Sequence, residues 1–471
     1  MADSINLIQK LSSTKTFKKL ILDQLDKDCK ADGDILDMIL NRYTDPSLEV
    51  CSKCKIKSKI ASKILDQWAV SFRIDPNEFK EMLKIPFFKR GIKSMVLGIK
   101  KYGFQKPFLP SAPLLVIWNF TSMCNLNCKH CYQNAGKKSE DELNFNQQKK
   151  VIDKLAEWGV TFLAFSGGEP LIHPNFFKLA EYTTKKGIAL AIITNGTLIT
   201  KEVAKKLKDV GLAYAEVSLD SLDKDEHDNF RGLKGAWEKT VEGIKNLKDI
   251  KVSICIITFT HKNNYKQIPK FAEFAKEIGV GFWAMCEYKP AGRGKNLDLD
   301  MSPDQREEAL QILSDVTLKE LKNKKENKHY ILIDTNAPQF GRKMKELTKE
   351  YGFVGHYGFL INSSLLLEIV GGCAAGRAYI ALQQNGDFTP CIFMPDLVIG
   401  NILKEDLESF WTSNQVLKDI RLRDAFEGNC SKCEYKYICG GCRARAYNYL
   451  GDITKPDTGC IHNKNYAISA K

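Results

Sequence analysis

A chain of 471 residues, 44% of them hydrophobic, can bury two or three cores, or form one barrel with extensions. It has no run of about 18 uncharged apolar residues and starts with a polar, Lys-rich stretch lacking the apolar centre of a secretory signal, so no membrane span is expected and the cytoplasm is the expected compartment. There, 15 clustered cysteines read as metal or redox ligands rather than disulfides, and a formal charge of +13, spread as lysines over helical faces, does not make the basic stripe of a nucleic-acid binder.

Residues 1–110 show mostly helical patterns and are basic, with 21 Lys/Arg against 13 Asp/Glu. Within them "CSKC" sets Cys51 and Cys54 at a C-x2-C spacing, with Cys29 in reserve. Without a second pair this is a weak metal signal, and a structural or incidental role is expected. "FFKRGIKSMVLGIKKYG" (87–103) is a basic amphipathic stretch, expected to pack on the following domain rather than on lipid. Pro107, Pro110 and Pro113 mark the passage into that domain.

From 111 to 325 strands and helices alternate. "LLVIWNFT" is an apolar run of strand length, and "NQQKKVIDKLAEWG" has helical spacing ending at Gly159. "VTFLAFSGG", "IALAIITNG", "YAEVSLD", "KVSICIIT" and "GFWAMCEY" follow as strands between amphipathic helices, the last helix starting after Ser302, a suitable N-cap before Pro303. Apolar strands alternating with such helices predict parallel βα units, and six of them predict an α/β fold, a partial (β/α)6 TIM-like barrel. In these folds chemistry collects in the loops at the C-terminal ends of the strands. Cys124, Cys128, Cys131, the run Gly167, Gly168, Glu169, then Asn195, Ser218 and Asp220 all fall there. Cys255 and Cys286 lie within apolar strands and read as core, Cys286 near enough to a strand end to face the mouth. "PAGRG", with Gly292, Arg293 and Gly294, is a loop after strand six and is given no ligand. The beat then stops. Residues 326–370 form a linking region with "YILIDTNAP" and a helix-like "QFGRKMKELTKEYG", and residues 371–471 a cysteine-rich module.

"CNLNCKHC" spaces Cys124, Cys128 and Cys131 as C-x3-C-x2-C. Three thiolates on a short loop can hold three irons of a [4Fe–4S] cube and leave the fourth without a protein ligand; the alternative is zinc completed by His130. "SGGEP" ends the neighbouring strand. Its glycines let a ligand lie against the backbone, and a carboxylate at a strand tip can bind an ammonium group. Together, strand–CNLNCKHC–helix and strand–GGEP on a six-unit partial barrel resemble the radical S-adenosylmethionine (SAM) superfamily over residues 114 to about 300. The resemblance implies that SAM chelates the fourth iron through its amino and carboxylate groups. Reductive cleavage then yields a 5′-deoxyadenosyl radical that abstracts hydrogen from a substrate. It further implies that Gly167, Gly168 and Glu169 meet the methionine amino group and that Asn195 and Ser218 lie where ribose and carboxylate are contacted. Arg231 in "HDNFRG" resembles an arginine on the SAM carboxylate, and Tyr132 an aromatic near adenine.

The C-terminal cysteines run as Cys373, Cys391, then "CSKCEYKYICGGC" with Cys430, Cys433, Cys439 and Cys442, closed by Cys460. This order is similar to the SPASM extension of radical SAM enzymes, which implies two auxiliary [4Fe–4S] clusters. Cys373, Cys391 and Cys442 would hold the first, which lacks an eighth cysteine, and Cys430, Cys433, Cys439 and Cys460 the second. "CGGCRARAY", "GDITKPDTGC" and "TNAPQF" resemble members that trim tetrapyrrole side chains in haem and haem d1 synthesis, while the cysteine framework is shared with peptide maturases. The expected partners are a small cofactor precursor or peptide and an electron donor of ferredoxin or flavodoxin type. The competing readings are a non-catalytic iron–sulfur electron-transfer protein and a zinc-dependent nucleic-acid binder.

Overall fold

The computed structural model describes residues 28–29, 33–71, 74–103, 105–348, 352–354, 359–361 and 364–467. Six strands, β1 Leu115–Thr121, β2 Phe162–Gly167, β3 Ala189–Thr194, β4 Leu212–Ser218, β5 Ser253–Thr260 and β6 Phe282–Glu287, lie side by side in chain order, every neighbouring pair parallel. Out of the linking region a further strand, β7 Leu332–Thr335, adds itself parallel to β6. On the other edge, β8 Tyr379–Leu382 from the cysteine-rich module pairs parallel with β1, and β9 Asp387–Thr389 and β10 Gly400–Asn401 continue antiparallel. The ten strands form one sheet.

The period of two along the strands decides which face is packed. Val116, Trp118 and Phe120, Leu163 and Phe165, Leu190 and Ile192, and Trp283 and Met285 join the apolar stripes of the covering helices in one core. The helix Phe145–Trp158 shows how such a stripe is built. Asn144 caps it in a reciprocal box with Gln147, Val151, Ile152 and Leu155 are buried at helical spacing, and Gly159, at φ +99°, ends it in the left-handed conformation. Truncating the fully buried Leu155 to alanine would cost about 2–5 kcal/mol. The opposite strand face carries short or polar groups: Ala164, Ala191, Ala284, Glu216 and Ser218. This concave face opens towards the C-terminal strand ends.

Ahead of the barrel, the helices Ile35–Thr44, Ser52–Ser71, Pro76–Lys84 and Pro86–Tyr102 share a second core with Leu367, Ile369 and Ile438 of the C-terminal half. The basic helix Pro86–Tyr102 packs on the barrel. Arg90 donates to the carbonyls of Val160 (3.1 Å) and Lys186 (3.2 Å), and Gly98 lies so close to Leu109 that a Cβ would stand 2.3 Å from its carbonyl oxygen. Among the described residues no helix is long and apolar enough to cross a membrane.

Candidate active site

β1 leads into a loop whose neck is closed by two backbone bonds, Cys124 N–H to Gly136 (3.0 Å) and Gly136 N–H to Ser122 (2.8 Å). Cys124, Cys128 and Cys131 lie within it, and each sulfur receives an N–H donor: Leu126 to Cys124 (3.4 Å), the Arg231 guanidinium to Cys128 (3.7 Å) and Ala135 to Cys131 (3.3 Å). Burial pushes the Cys124 thiol up to about 12. A buried thiol set of this kind, ringed with N–H donors, suits thiolates charge-balanced by a cationic iron–sulfur core. His130, the alternative zinc ligand, is otherwise engaged. Its ring stacks on Phe230 (4.4 Å) and Phe259 (4.2 Å), and burial pulls its pKa down to about 3, so the imidazole is neutral.

Three neighbouring segments hold this loop. From β2, Gly168 N–H donates to Thr121 (2.7 Å) and Glu169 N–H to Met123 (2.8 Å). The backbones run so close that a Cβ on Gly167 would stand 2.4 Å from the Thr121 oxygen, and one on Gly168 would stand 1.9 Å from that of Met123. From the far end of the β4 unit, the carbonyls of Phe230 and Arg231 accept from Lys129 (3.0 Å) and Asn127 (3.1 Å). From the loop after β6, Arg293 donates through Nε to the Cys128 carbonyl (2.8 Å) and through Nη1 to that of Ala135 (3.2 Å). The "PAGRG" glycines make this approach possible, since a Cβ on Gly292 would meet the Tyr132 oxygen at 2.3 Å.

Glu169 is fully buried at the tip of β2. Its carboxylate accepts from Thr194 Oγ1 (2.9 Å), Asn195 N–H (2.9 Å) and Leu171 N–H (3.2 Å), and burial raises its pKa to about 7 against those bonds. Asn195 in turn donates through Nδ2 to Asn125 inside the cysteine loop (2.9 Å). Arg231 is 8% exposed, so it is no surface arginine; it pairs with Asp220 at 2.7 Å while donating to Cys128. Ser218 is the last residue of β4, half-buried on the open face. Tyr132 donates to Asn119 Oδ1 (3.2 Å), shares a bond with Ser166 Oγ (3.2 Å), and sets its ring edge-on to Phe393 of the C-terminal module. Glu216, two residues before Ser218 on the same face, has its carboxyl pushed up to about 7 by burial and by nearby Asp334; nothing in its strand pattern marked it out.

The C-terminal cysteines gather in two sets. Cys391, its thiol raised to about 12 chiefly by burial, interacts with Cys373 and Cys442. Cys439, raised by burial, interacts with Cys460 and Cys430, and Cys430 with Cys433. Gly440 and Gly441, at φ +70° and +62°, make the sharp turn between the sets, and Gly441 N–H donates to Cys439 Sγ (3.3 Å). A buried ionic chain ties the module to the barrel. Glu287, ending β6, accepts from Arg306 (3.2 Å) and Arg445 (2.6 Å); Arg445 also pairs with Asp457 (3.1 Å), which accepts the Cys442 N–H (2.7 Å). The "TNAPQF" segment joins the same junction: Gln339 donates to Asp457, and Asn336 donates to Cys286 Sγ (3.0 Å) and accepts from Lys289 (3.0 Å). Beside it a cleft of about 230 Å³ opens between Pro290–Ala291 and Tyr447–Asn448.

Residues 118–275 match the family model of the radical SAM superfamily, and residues 373–434 that of the iron–sulfur cluster-binding SPASM domain. Over 359 residues the chain is 34% identical to the AdoMet-dependent heme synthase of Methanosarcina barkeri, covering 75% of this chain and 98% of that protein. The chain belongs to the radical SAM superfamily. Within the superfamily this radical SAM enzyme, with its C-terminal SPASM domain, is also 27% identical to the mycofactocin maturase MftC of Mycolicibacterium smegmatis, over 74% of this chain and 83% of that one. Its fold is that of Streptococcus suis SuiB bound to its precursor peptide SuiA, with a TM-score of 0.61 at 18% identity over 87% and 88% of the two chains. Iron–sulfur clusters and SAM are accordingly the cofactors of this radical SAM enzyme.

Proposed function

We propose that this enzyme carries three [4Fe–4S] clusters and oxidatively trims a tetrapyrrole-like cofactor precursor, a hydrogen atom of the substrate passing to the 5′-deoxyadenosyl group of SAM and the second electron to the auxiliary clusters. Cys124, Cys128 and Cys131 would hold the SAM-binding cluster, Cys373, Cys391 and Cys442 the first auxiliary cluster, and Cys430, Cys433, Cys439 and Cys460 the second. When bound, the first cluster and SAM supply a reducing electron and a carbon radical that takes hydrogen from an unreactive C–H bond.

The chain's own residues then have distinct tasks. Gly167, Gly168 and Glu169 would meet the methionine amino group of SAM. Asn195 and Ser218 would contact its ribose and carboxylate, and Tyr132 would pack near its adenine. Arg231 holds the Cys128 thiolate and Asp220, and so fixes the cysteine loop as well as its charge. Lys289, 4% exposed and lying over the Phe393 ring at 5.0 Å, is a cation at the barrel–module junction suited to a substrate carboxylate. An external donor of ferredoxin or flavodoxin type supplies electrons.

The observation that carries this reading is the seating of three N–H-ringed thiols against the Gly–Gly–Glu turn, with two more thiol sets behind them. The higher identity to the heme synthase than to the mycofactocin maturase supports a tetrapyrrole. The anaerobic, reduced enzyme is expected to bind about twelve irons and to release 5′-deoxyadenosine from SAM. The C124A/C128A/C131A variant should keep about eight irons and release none. Full iron without 5′-deoxyadenosine from the wild type would mean an electron-transfer protein. Turnover stimulated by a peptide and not by a carboxylated iron tetrapyrrole would overturn the substrate assignment.

A further inference from the structure

Cys29 sits in a short antiparallel pairing, Asp28–Cys29 with Gly33–Asp34, opposite Gly33 at φ +73°. Cys51 stands at the N-terminus of the helix Ser52–Ser71, its carbonyl accepting the Lys55 N–H (2.9 Å), and Cys54 lies in the first turn. Though 22 residues separate Cys29 from Cys51, their sulfurs are 3.7 Å apart, and all three sulfurs lie within 4.8 Å of one another. Among the described residues this is the one group of three such ligand atoms that close. No disulfide joins them.

The spacing has a chemical meaning. Thiolates on one tetrahedral zinc ion, with Zn–S bonds of about 2.3 Å, stand about 3.8 Å apart, whereas the thiolates of a cubane bind separate irons and stand further apart. The 3.7 Å between the Cys29 and Cys51 sulfurs is the single-ion spacing, and Cys54 lies within reach of the same point. The helix N-terminus stabilises anionic sulfur there, and the exposed Lys53 and Lys55 offset its charge. Cys54 is 2% exposed, so a metal at its sulfur is shielded from water.

We propose that Cys29, Cys51 and Cys54 bind a single zinc ion, distinct from the iron–sulfur clusters, with a non-cysteine donor in the fourth position. The remaining twelve cysteines all lie at or beyond residue 124, so none of the nearby N-terminal residues supplies a fourth sulfur. The ion pins the Cys29 pairing to the helix Ser52–Ser71. The trio packs in the core that also contains Leu367, Ile369 and Ile438, the last of which precedes the cluster ligand candidate Cys439 in the chain. The zinc thereby stiffens the N-terminal region whose core meets the C-terminal half, a task suited to a region whose own core is small. It lies ahead of both segments that match family models.

The full-length enzyme, purified anaerobically with its iron and dialysed against buffer without metal, should retain about one zinc per chain by elemental analysis. Zinc X-ray absorption should show three sulfur neighbours at about 2.3 Å. In C51S/C54S the zinc should fall at least tenfold while iron and sulfide stay at wild-type levels. Wild-type enzyme with full iron and no zinc would overturn the proposal, as would zinc bound only by nitrogen and oxygen. Loss of about four irons in C51S/C54S would also overturn it, since the trio would then hold a cluster. The absorption measurement needs no variant and decides the matter even where C51S/C54S does not fold.

Discussion

In Gly168→Ala a Cβ would stand 1.9 Å from the Met123 carbonyl oxygen and 2.6 Å from its carbon. Both are backbone atoms, so no side chain can rotate away. Gly168 does not need positive φ, and alanine is therefore excluded by contact alone. Relief requires the end of β2 to move away from the cysteine loop by about 1 Å or more. That movement breaks Gly168 N–H to Thr121 (2.7 Å) and Glu169 N–H to Met123 (2.8 Å). Two hydrogen bonds at about 1 kcal/mol each, with an overpacking cost of about 1–3 kcal/mol, give a loss of about 3–5 kcal/mol. It falls on the seam that sets Cys124 beside Glu169. The expected result is at least a tenfold loss of 5′-deoxyadenosine formation, with reduced iron at the cysteine loop and auxiliary iron intact. This is measured by chromatography of anaerobic assays and by iron analysis. A Gly168→Ala enzyme that melts as the wild type, keeps all its iron and cleaves SAM at the wild-type rate would refute the reasoning.

Arg231→Met removes the donor to Cys128 and strands buried Asp220; SAM cleavage should fall about 10–100-fold, and a potentiometric titration followed by EPR should show the barrel cluster's potential moved downward, as expected on losing a cation and an N–H donor. Glu216 has its folded pKa raised from the ordinary carboxylate range to about 7, so its stability cost is absent below about pH 4.5 and grows as pH rises towards 7. Glu216→Gln should melt with the wild type at pH 4.5 and be stabilised relative to it by about 3 kcal/mol at pH 8; thermal melts that differ equally at both pH values would contradict this. Glu287→Gln leaves Arg306 and Arg445 buried with one charge fewer, a cost of about 3–5 kcal/mol, and should release iron from the C-terminal module on mild heating before the barrel cluster is lost.

Much of this site lay in short-range spacing. Cys124, Cys128 and Cys131 sit on a single loop and the Gly–Gly–Glu turn ends the next strand, so neither requires knowledge of distant contacts. The six-unit beat was equally local, because apolar strands and amphipathic helices advertise their periods within ten or so residues. What escaped was pairing across long separations. Glu287 ends β6 of the barrel and Arg445 lies in the C-terminal module 158 residues later, and no periodicity couples them. Arg293 was visible in "PAGRG", yet its target, the carbonyls of the cysteine loop, exists only after β1 and β6 units have closed on each other. β7 went unnoticed because "YILID" follows a Lys-rich helix and offers four residues of strand, too few to set a period. Cys29 was legible only as a reserve partner for Cys51 and Cys54, because a strand two residues long sets no period that would bring it to them.

The pairing of β8 with β1 has a consequence for how the protein is made. β1 has β2 on one side soon after synthesis, but its other neighbour, Tyr379–Leu382, is translated roughly 260 residues later. At about 5–20 residues per second that is a delay of roughly 13–50 s. During it the backbone donors and acceptors of an apolar parallel strand stay open, the condition that favours pairing with another chain. The strand that opens the radical site is thus the last of the barrel to be covered, and its newborn edge is where crowding, chaperones and translation speed bear most directly on the yield of active enzyme.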